Sequence, residues 1–161
     1  MAKGVMKDMV QICVVVKDLE KAMQRYSTVF GIKDFVVYKV DSDHVPGITD
    51  HGQPAKSYAV QVGMARLGGA VIELLEPLRG QSMYQDFLDQ HGEGVHHVGL
   101  MVDHYTEALE GFTSQGFAVG VDGPIVGESR TGRFTYLDTQ EKLGTTFELL
   151  DFPPELLAQW R

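Results

Sequence analysis

Two adjacent histidines, His96 and His97, lie between glycines and an apolar run in the stretch Gly92-Glu93-Gly94-Val95-His96-His97-Val98-Gly99-Leu100-Met101-Val102. An imidazole at the wet mouth of a strand can ligate a metal ion or move a proton near neutral pH. The first half of the chain carries a similar stretch, Val10-Gln11-Ile12-Cys13-Val14-Val15-Val16, and superposing the two sets Gln11 on His97 and Val16 on Val102. The helical patterns that follow also superpose, with Ala22 on Ala108, Met23 on Leu109 and Tyr26 on Phe112. The duplication extends to Val71-Ile72-Glu73-Leu74-Leu75-Glu76-Pro77, which echoes Thr146-Phe147-Glu148-Leu149-Leu150-Asp151. Each half thus sets one polar residue at the head of an apolar strand and one glutamate inside its last.

Strand parity sharpens the chemistry. Glu73 shares a face with Val71 and Leu75, and Glu148 with Thr146 and Leu150, so both carboxylates are expected among apolar neighbours. No lysine or arginine lies within three residues of either, and an uncompensated buried carboxylate costs several kcal/mol. A divalent cation held by Gln11 and Glu73 from one half and His97 and Glu148 from the other would supply the missing charge. Three oxygen donors and one imidazole suit Zn, Co, Ni, Mn or Mg, and leave room for two substrate oxygens in an octahedral shell. By the same parity His96 faces away and is expected to pack or to hydrogen-bond the backbone. Cys13 shares the Gln11 face and is expected to be a small core residue. Glu76 and Asp151, just past strand ends, are expected to be solvated.

The elements that must carry these groups follow from pattern and punctuation. Residues 10–16 predict a strand buried on both faces, and Asp18 caps a helix whose apolar stripe is Leu19, Ala22, Met23 and Tyr26 and which Gly31 closes. A strand over 35–40 follows, then a long loop, 41–54, containing His44 and His51. Residues 57–67 and 70–75 predict a hairpin turned at Gly68-Gly69. Pro77 to Gly80 reads as a breaker and 83–90 as a short helix. The second round predicts strand 95–102, helix 104–115 closed by Gly116, and strands 117–121, 133–138 and 145–150. A glycine-rich connection, 120–132, brings Glu128, Arg130 and Arg133 near its far end. His44, His51, Glu128 and Arg130 are candidates for the substrate entrance by loop position alone. A short C-terminal helix is expected to start at Pro153 and end at Trp160.

The fold class is therefore α+β. Two tandem βαβββ modules, about 8–78 and 93–152, with a C-terminal helix over 153–161, are expected to form one domain over 1–161. Its core would be one curved, eight-stranded mixed sheet around a metal-binding cavity. A formal net charge of −8 excludes nucleic acid and anionic membrane as main partners, since both would repel it. One cysteine excludes an internal disulfide and a thiolate cluster, which suits a reducing compartment. No apolar run reaches membrane-spanning or signal-peptide length. A cytoplasmic protein acting on a small molecule is expected.

The βαβββ repeat with polar residues on its first and last strands resembles the vicinal oxygen chelate superfamily, the glyoxalase and bleomycin-resistance fold, over nearly the whole chain. The string Ile72-Glu73-Leu74-Leu75-Glu76-Pro77 followed by Gly92-Glu93-Gly94-Val95-His96-His97 is similar to methylmalonyl-CoA epimerases. The resemblance implies that His97, the second histidine of the pair, Glu148 of the final strand and Glu73 bind metal, and that the protein is a homodimer. Two positions depart from the epimerase pattern. The first-strand histidine is Gln11, and the epimerase's additional non-ligand glutamate has no counterpart between Ala55 and Leu67, where Gln61 is the nearest polar residue. The set Gln11, Glu73, His97 and Glu148 also resembles that of eukaryotic glyoxalase I, whose ligating glutamates move the protons.

The expected activity is a metal-dependent epimerase or isomerase that removes a proton α to a carbonyl, on a methylmalonyl-CoA-like thioester or another vicinal-oxygen substrate. Glu148 is the first choice of base and Glu73 the second. A glyoxalase I-type lactoylglutathione lyase is the close alternative, and a non-catalytic antibiotic-binding protein is an alternative of another class. An extradiol dioxygenase fits less well, because Gln11 replaces one of the two histidines that iron chemistry uses.

Overall fold

The computed structural model describes residues 6–159. Ten strands and five α-helices are present among them, in two compact units. The amino-terminal unit holds Gln11–Val45 and Lys56–His97, and the carboxy-terminal unit holds residues 6–10, Pro46–Ala55 and Val98 onward. No described helix is long and apolar enough to cross a membrane.

In the amino-terminal unit, strands β1 (Met6–Val15), β2 (Val36–Asp41), β5 (Ala59–Leu67) and β6 (Ala70–Arg79) run in the order β2-β5-β6-β1. β1 and β6 pair in parallel, Gln11 opposite Val71 and Cys13 opposite Glu73, while β2, β5 and β6 pair antiparallel. Alternation splits β1 cleanly. Ile12 and Val14 pack with Val16, Ile72, Leu74 and Ala65 against Leu19 and Ala22 of helix α1 (Leu19–Phe30), which turns Gln11, Cys13 and Val15 to the opposite face. The helix starts as expected, with the Asp18 carboxylate accepting from the Lys21 amide, and stops at Gly31 in the left-handed region. Gly63 permits the close approach of this helix, since a Cβ there would stand 3.0 Å from the Met23 sulfur.

Pro77 does not end its strand. β6 continues to Arg79, and the register slips at Ala59/Val60, so that Pro77 faces Val60 and Arg79 faces Ala59. Such a bulge is where a proline, which has no N–H to donate, can sit in a ladder. Helix α2 (Met83–His91) follows, capped by Ser82.

In the carboxy-terminal unit the order is β10-β9-β8-β3-β4, with β3 (Thr49–Asp50), β4 (Gln53–Pro54), β8 (Val119–Ile125), β9 (Gly132–Leu137) and β10 (Thr146–Asp151). Helix α3 (Tyr105–Thr113) covers Val102, Leu137 and Leu149 through Ala108, which leaves Tyr136, Glu148 and Leu150 on the other face of their strands. Ten strands replace the expected eight because the 41–54 segment contains the hairpin β3–β4, turned at His51 and Gly52, both with positive φ. Two-residue strands are too short to show a period in the sequence. Helix α4 (Gln140–Leu143), a single turn, is also additional. The final helix α5 spans Pro154–Gln159, and its expected end at Trp160 lies outside the described residues.

Candidate metal centre

Strand β7 (Gly94–Val102) carries His97 beside Gln11 of β1 and Glu73 of β6, and all three are buried at 0%, 4% and 7% exposure. Gln11 Nε2 donates to Glu73 Oε2 at 3.1 Å and stands 3.2 Å from His97 Nε2, while His97 Nε2 and Glu73 Oε2 are 3.3 Å apart. Carboxylate and imidazole nitrogen are two acceptors turned toward one point. The amide of Gln11, with two N–H groups, satisfies both.

Ligands at about 2.1 Å from one ion in octahedral or tetrahedral array stand about 3.0–3.4 Å from each other, and all three separations fall in that range. A half-turn about its last bond gives the Gln11 amide an oxygen donor in place of its nitrogen. The donor set of one carboxylate, one imidazole and one amide oxygen thus fits a divalent ion of the Zn, Co, Ni, Mn or Mg group.

Cys13 belongs to the same cluster: its Sγ, a Glu73 oxygen and a His97 nitrogen all lie within 4.8 Å of one another. Its thiol is fully buried, as expected of a core residue, but that core position borders the polar cluster. The sequence signal was its place two residues after Gln11 on the same face of β1.

His96 is buried on the other side, against the rings of Tyr84 at 5.2 Å and Phe87 at 5.1 Å on α2. Its Nδ1 is 2.9 Å from Nδ1 of His97. Burial, and next the neighbouring His97, push its pKa down to about 3 against the opposing hydrogen bond to the Met83 backbone, so the ring is neutral at pH 7.

Glu148 lies on β10 of the carboxy-terminal unit, 4% exposed and cross-strand from Tyr136. Glu76 and Asp151 are not simply solvated. Glu76 accepts from the Leu19 amide at the start of α1, and Asp151 takes a two-armed pair from Arg130. The other loop residues are also engaged: His51 lies between Asp50 and Asp138, Arg133 pairs with Asp122, and exposed His44 stands 3.7 Å from Asp41. Glu128 donates its backbone N–H to the Glu155 carboxylate.

Residues 10–136 match the sequence model of the Glyoxalase/Bleomycin resistance protein/Dioxygenase superfamily. The chain belongs to that superfamily. Among curated proteins, it is 34% identical over 99 residues to the mitochondrial methylmalonyl-CoA epimerase of Mus musculus, a match covering 61% of this chain and 47% of the relative. It is also 30% identical over 88 residues to the uncharacterized Bacillus subtilis protein YqjC, covering 54% of this chain and 61% of that one. The matched stretches thus span between about half and three fifths of those relatives. Among solved structures, the methylmalonyl-CoA epimerase of Mycobacterium tuberculosis superposes with a TM-score of 0.71 at 20% identity, covering 98% of this chain and 96% of the other. A variant of the Streptomyces coelicolor methylmalonyl-CoA epimerase in complex with 2-nitronate-propionyl-CoA gives 0.68 at 24% identity, covering 90% and 96%.

Proposed function

We propose that this protein is a metal-dependent epimerase or isomerase acting at the carbon α to a thioester or related carbonyl, with a methylmalonyl-CoA-like acyl-CoA as the first substrate to test. The observation that carries the proposal is the convergence of Gln11, Glu73 and His97 at ligand spacing in a chain that resembles methylmalonyl-CoA epimerases in sequence as well as fold. Gln11, Glu73 and His97 would hold the ion. Glu148 joins the set from its place in the sequence repeat, as fourth ligand and first choice of base.

A divalent ion held there would polarise a substrate carbonyl oxygen and stabilise the negative charge that develops when the α-proton leaves. Glu148 would take that proton and Glu73 would return one, which inverts the centre when the two act on opposite faces. Val71 and Leu75, buried on the same face of β6 as Glu73, would keep water from competing for the carboxylate. The partner implied is a small molecule. Homodimerisation and a cytoplasmic location belong to the same proposal.

A glyoxalase I-type lyase is the second reading, favoured by one feature of the sequence: the donor types that the repeat singles out are a glutamine, a histidine and two glutamates. Incubation in deuterated water separates the readings. Exchange of the α-proton of methylmalonyl-CoA with racemisation supports the epimerase. Inertness there, with turnover of a methylglyoxal and glutathione mixture, supports the lyase. A protein that takes up no metal and turns over neither substrate would favour a binding protein.

A further inference from the structure

We infer that His96 is a positioning residue that fixes His97 in the tautomer whose Nε2 lone pair faces Gln11 and Glu73. Each link in the chain of hydrogen bonds determines the next. The Glu73 carboxylate donates nothing, so the Gln11 group 3.1 Å from it must be the amide nitrogen, a donor. That same nitrogen stands 3.2 Å from His97 Nε2, which therefore accepts and carries no proton. The proton of neutral His97 is then on Nδ1, and the group 2.9 Å away that receives it is Nδ1 of His96. An Nδ1 that accepts leaves the His96 proton on Nε2, and in the hydrogen bond with the backbone of Met83 the ring is the donor and the carbonyl accepts.

Helix α2 is the clamp. Met83 supplies the carbonyl, and Tyr84 and Phe87 pack on the His96 ring, one tilted at 52° and one edge-on at 84°; Tyr84 is itself backed by Tyr58 at 6.4 Å. A histidine ligand whose second nitrogen is held by a fixed acceptor presents its lone pair in one direction and is a better donor for it. The protein thus spends a whole helical turn, distant from the acidic face of the cluster, on the orientation of one ring. The tautomer follows from the hydrogen bonds alone; its effect on metal affinity rests on the metal site proposed above.

Long-range proton–nitrogen correlation spectra of the metal-free protein, labelled with ¹⁵N-histidine at pH 7.5, read the tautomer without metal or substrate. His97 should be protonated at Nδ1 and bare at Nε2; protonation at Nε2 would overturn the inference. His96→Phe keeps the ring packing and removes the acceptor, and His96→Asn puts an oxygen near the place of Nδ1. The phenylalanine variant should lose the single His97 tautomer and bind zinc about 10- to 100-fold more weakly in a chelator competition, and the asparagine variant should recover most of that loss. An unchanged His97 tautomer in His96→Phe would contradict the positioning role. If no variant or wild-type protein binds zinc, the metal site fails while the tautomer result stands; if His96→Phe does not fold, nitrogen–nitrogen coupling across the hydrogen bond between the two Nδ1 atoms of the wild type decides, its presence supporting His96 as the acceptor and its absence contradicting it.

Discussion

Cys13 and Glu73 stand directly opposite each other on the parallel strands β1 and β6, and the thiol is wholly buried beside the carboxylate. A thiol so placed reacts only when the strand pair opens. Ellman's reagent should therefore modify native Cys13 no faster than the protein opens locally. Zinc at a hundred times its dissociation constant should slow the reaction by about a hundredfold, because an ion bound only by the closed form adds about 2.7 kcal/mol to the opening free energy. Rapid labelling of the native, zinc-saturated protein would contradict the burial and the site together.

Gln11 satisfies two acceptors in the metal-free cluster but is the weakest ligand of the set, a neutral amide. Gln11→His should raise zinc affinity by about tenfold or more, since imidazole is a stronger donor and Cys13, Glu73 and His97 remain in place. Isothermal titration against a competing chelator checks this, and an unchanged affinity would mean that position 11 does not touch the ion.

Stability and activity should move in opposite directions at Glu73. Replacing a buried carboxylate by an amide removes the cost of desolvating a charge, so metal-free Glu73→Gln is expected to be more stable than the parent by about 1 kcal/mol in urea. Its turnover should fall about a hundredfold or more, as should that of Glu148→Gln. Normal turnover in both variants would remove the two glutamates as bases.

His51 ties the β3–β4 hairpin down. Its Nε2 is 2.9 Å from Asp138 and its Nδ1 2.6 Å from Asp50, and these two hydrogen bonds, Asp138 first, raise its pKa above 6.5. A raised pKa means that the folded protein binds this proton more tightly than the unfolded chain does. The stabilisation is full below pH 6.5 and fades as pH climbs through the higher folded value. Because the ring is exposed, its worth is below about 1 kcal/mol. An NMR titration should place the His51 midpoint above 6.5, and His51→Ala should be destabilised at pH 5.5 but not at pH 9. A midpoint at or below 6.5 would contradict the clasp.

Much of this arrangement is legible in the sequence, for physical reasons that also mark where legibility stops. The duplicated strands, the Asp18 cap and the Gly31 stop are local signals, and they hold. Alternation along β1, β6 and β7 puts Gln11, Glu73 and His97 on inward faces, and the repeat singles them out. The β3–β4 hairpin has no period to detect, and Pro77 stays in its strand only because a bulge across the pair, at Ala59 and Val60, excuses its missing N–H. Cys13 shares the Gln11 face of β1 by spacing alone, but His96 joins the cluster through the rings of α2, which spacing along one strand does not reveal. The same is true of Glu76, whose partner is the Leu19 amide at the start of the next layer.

The most direct test is a crystal of the zinc-soaked protein with data collected on both sides of the zinc absorption edge. One anomalous peak about 2.1 Å from His97 Nε2 and from a Glu73 oxygen, with the Gln11 amide turned to present its oxygen, is the predicted result. A fully soaked crystal with no peak there, and Gln11 still donating to Glu73 and His97, would contradict the metal centre.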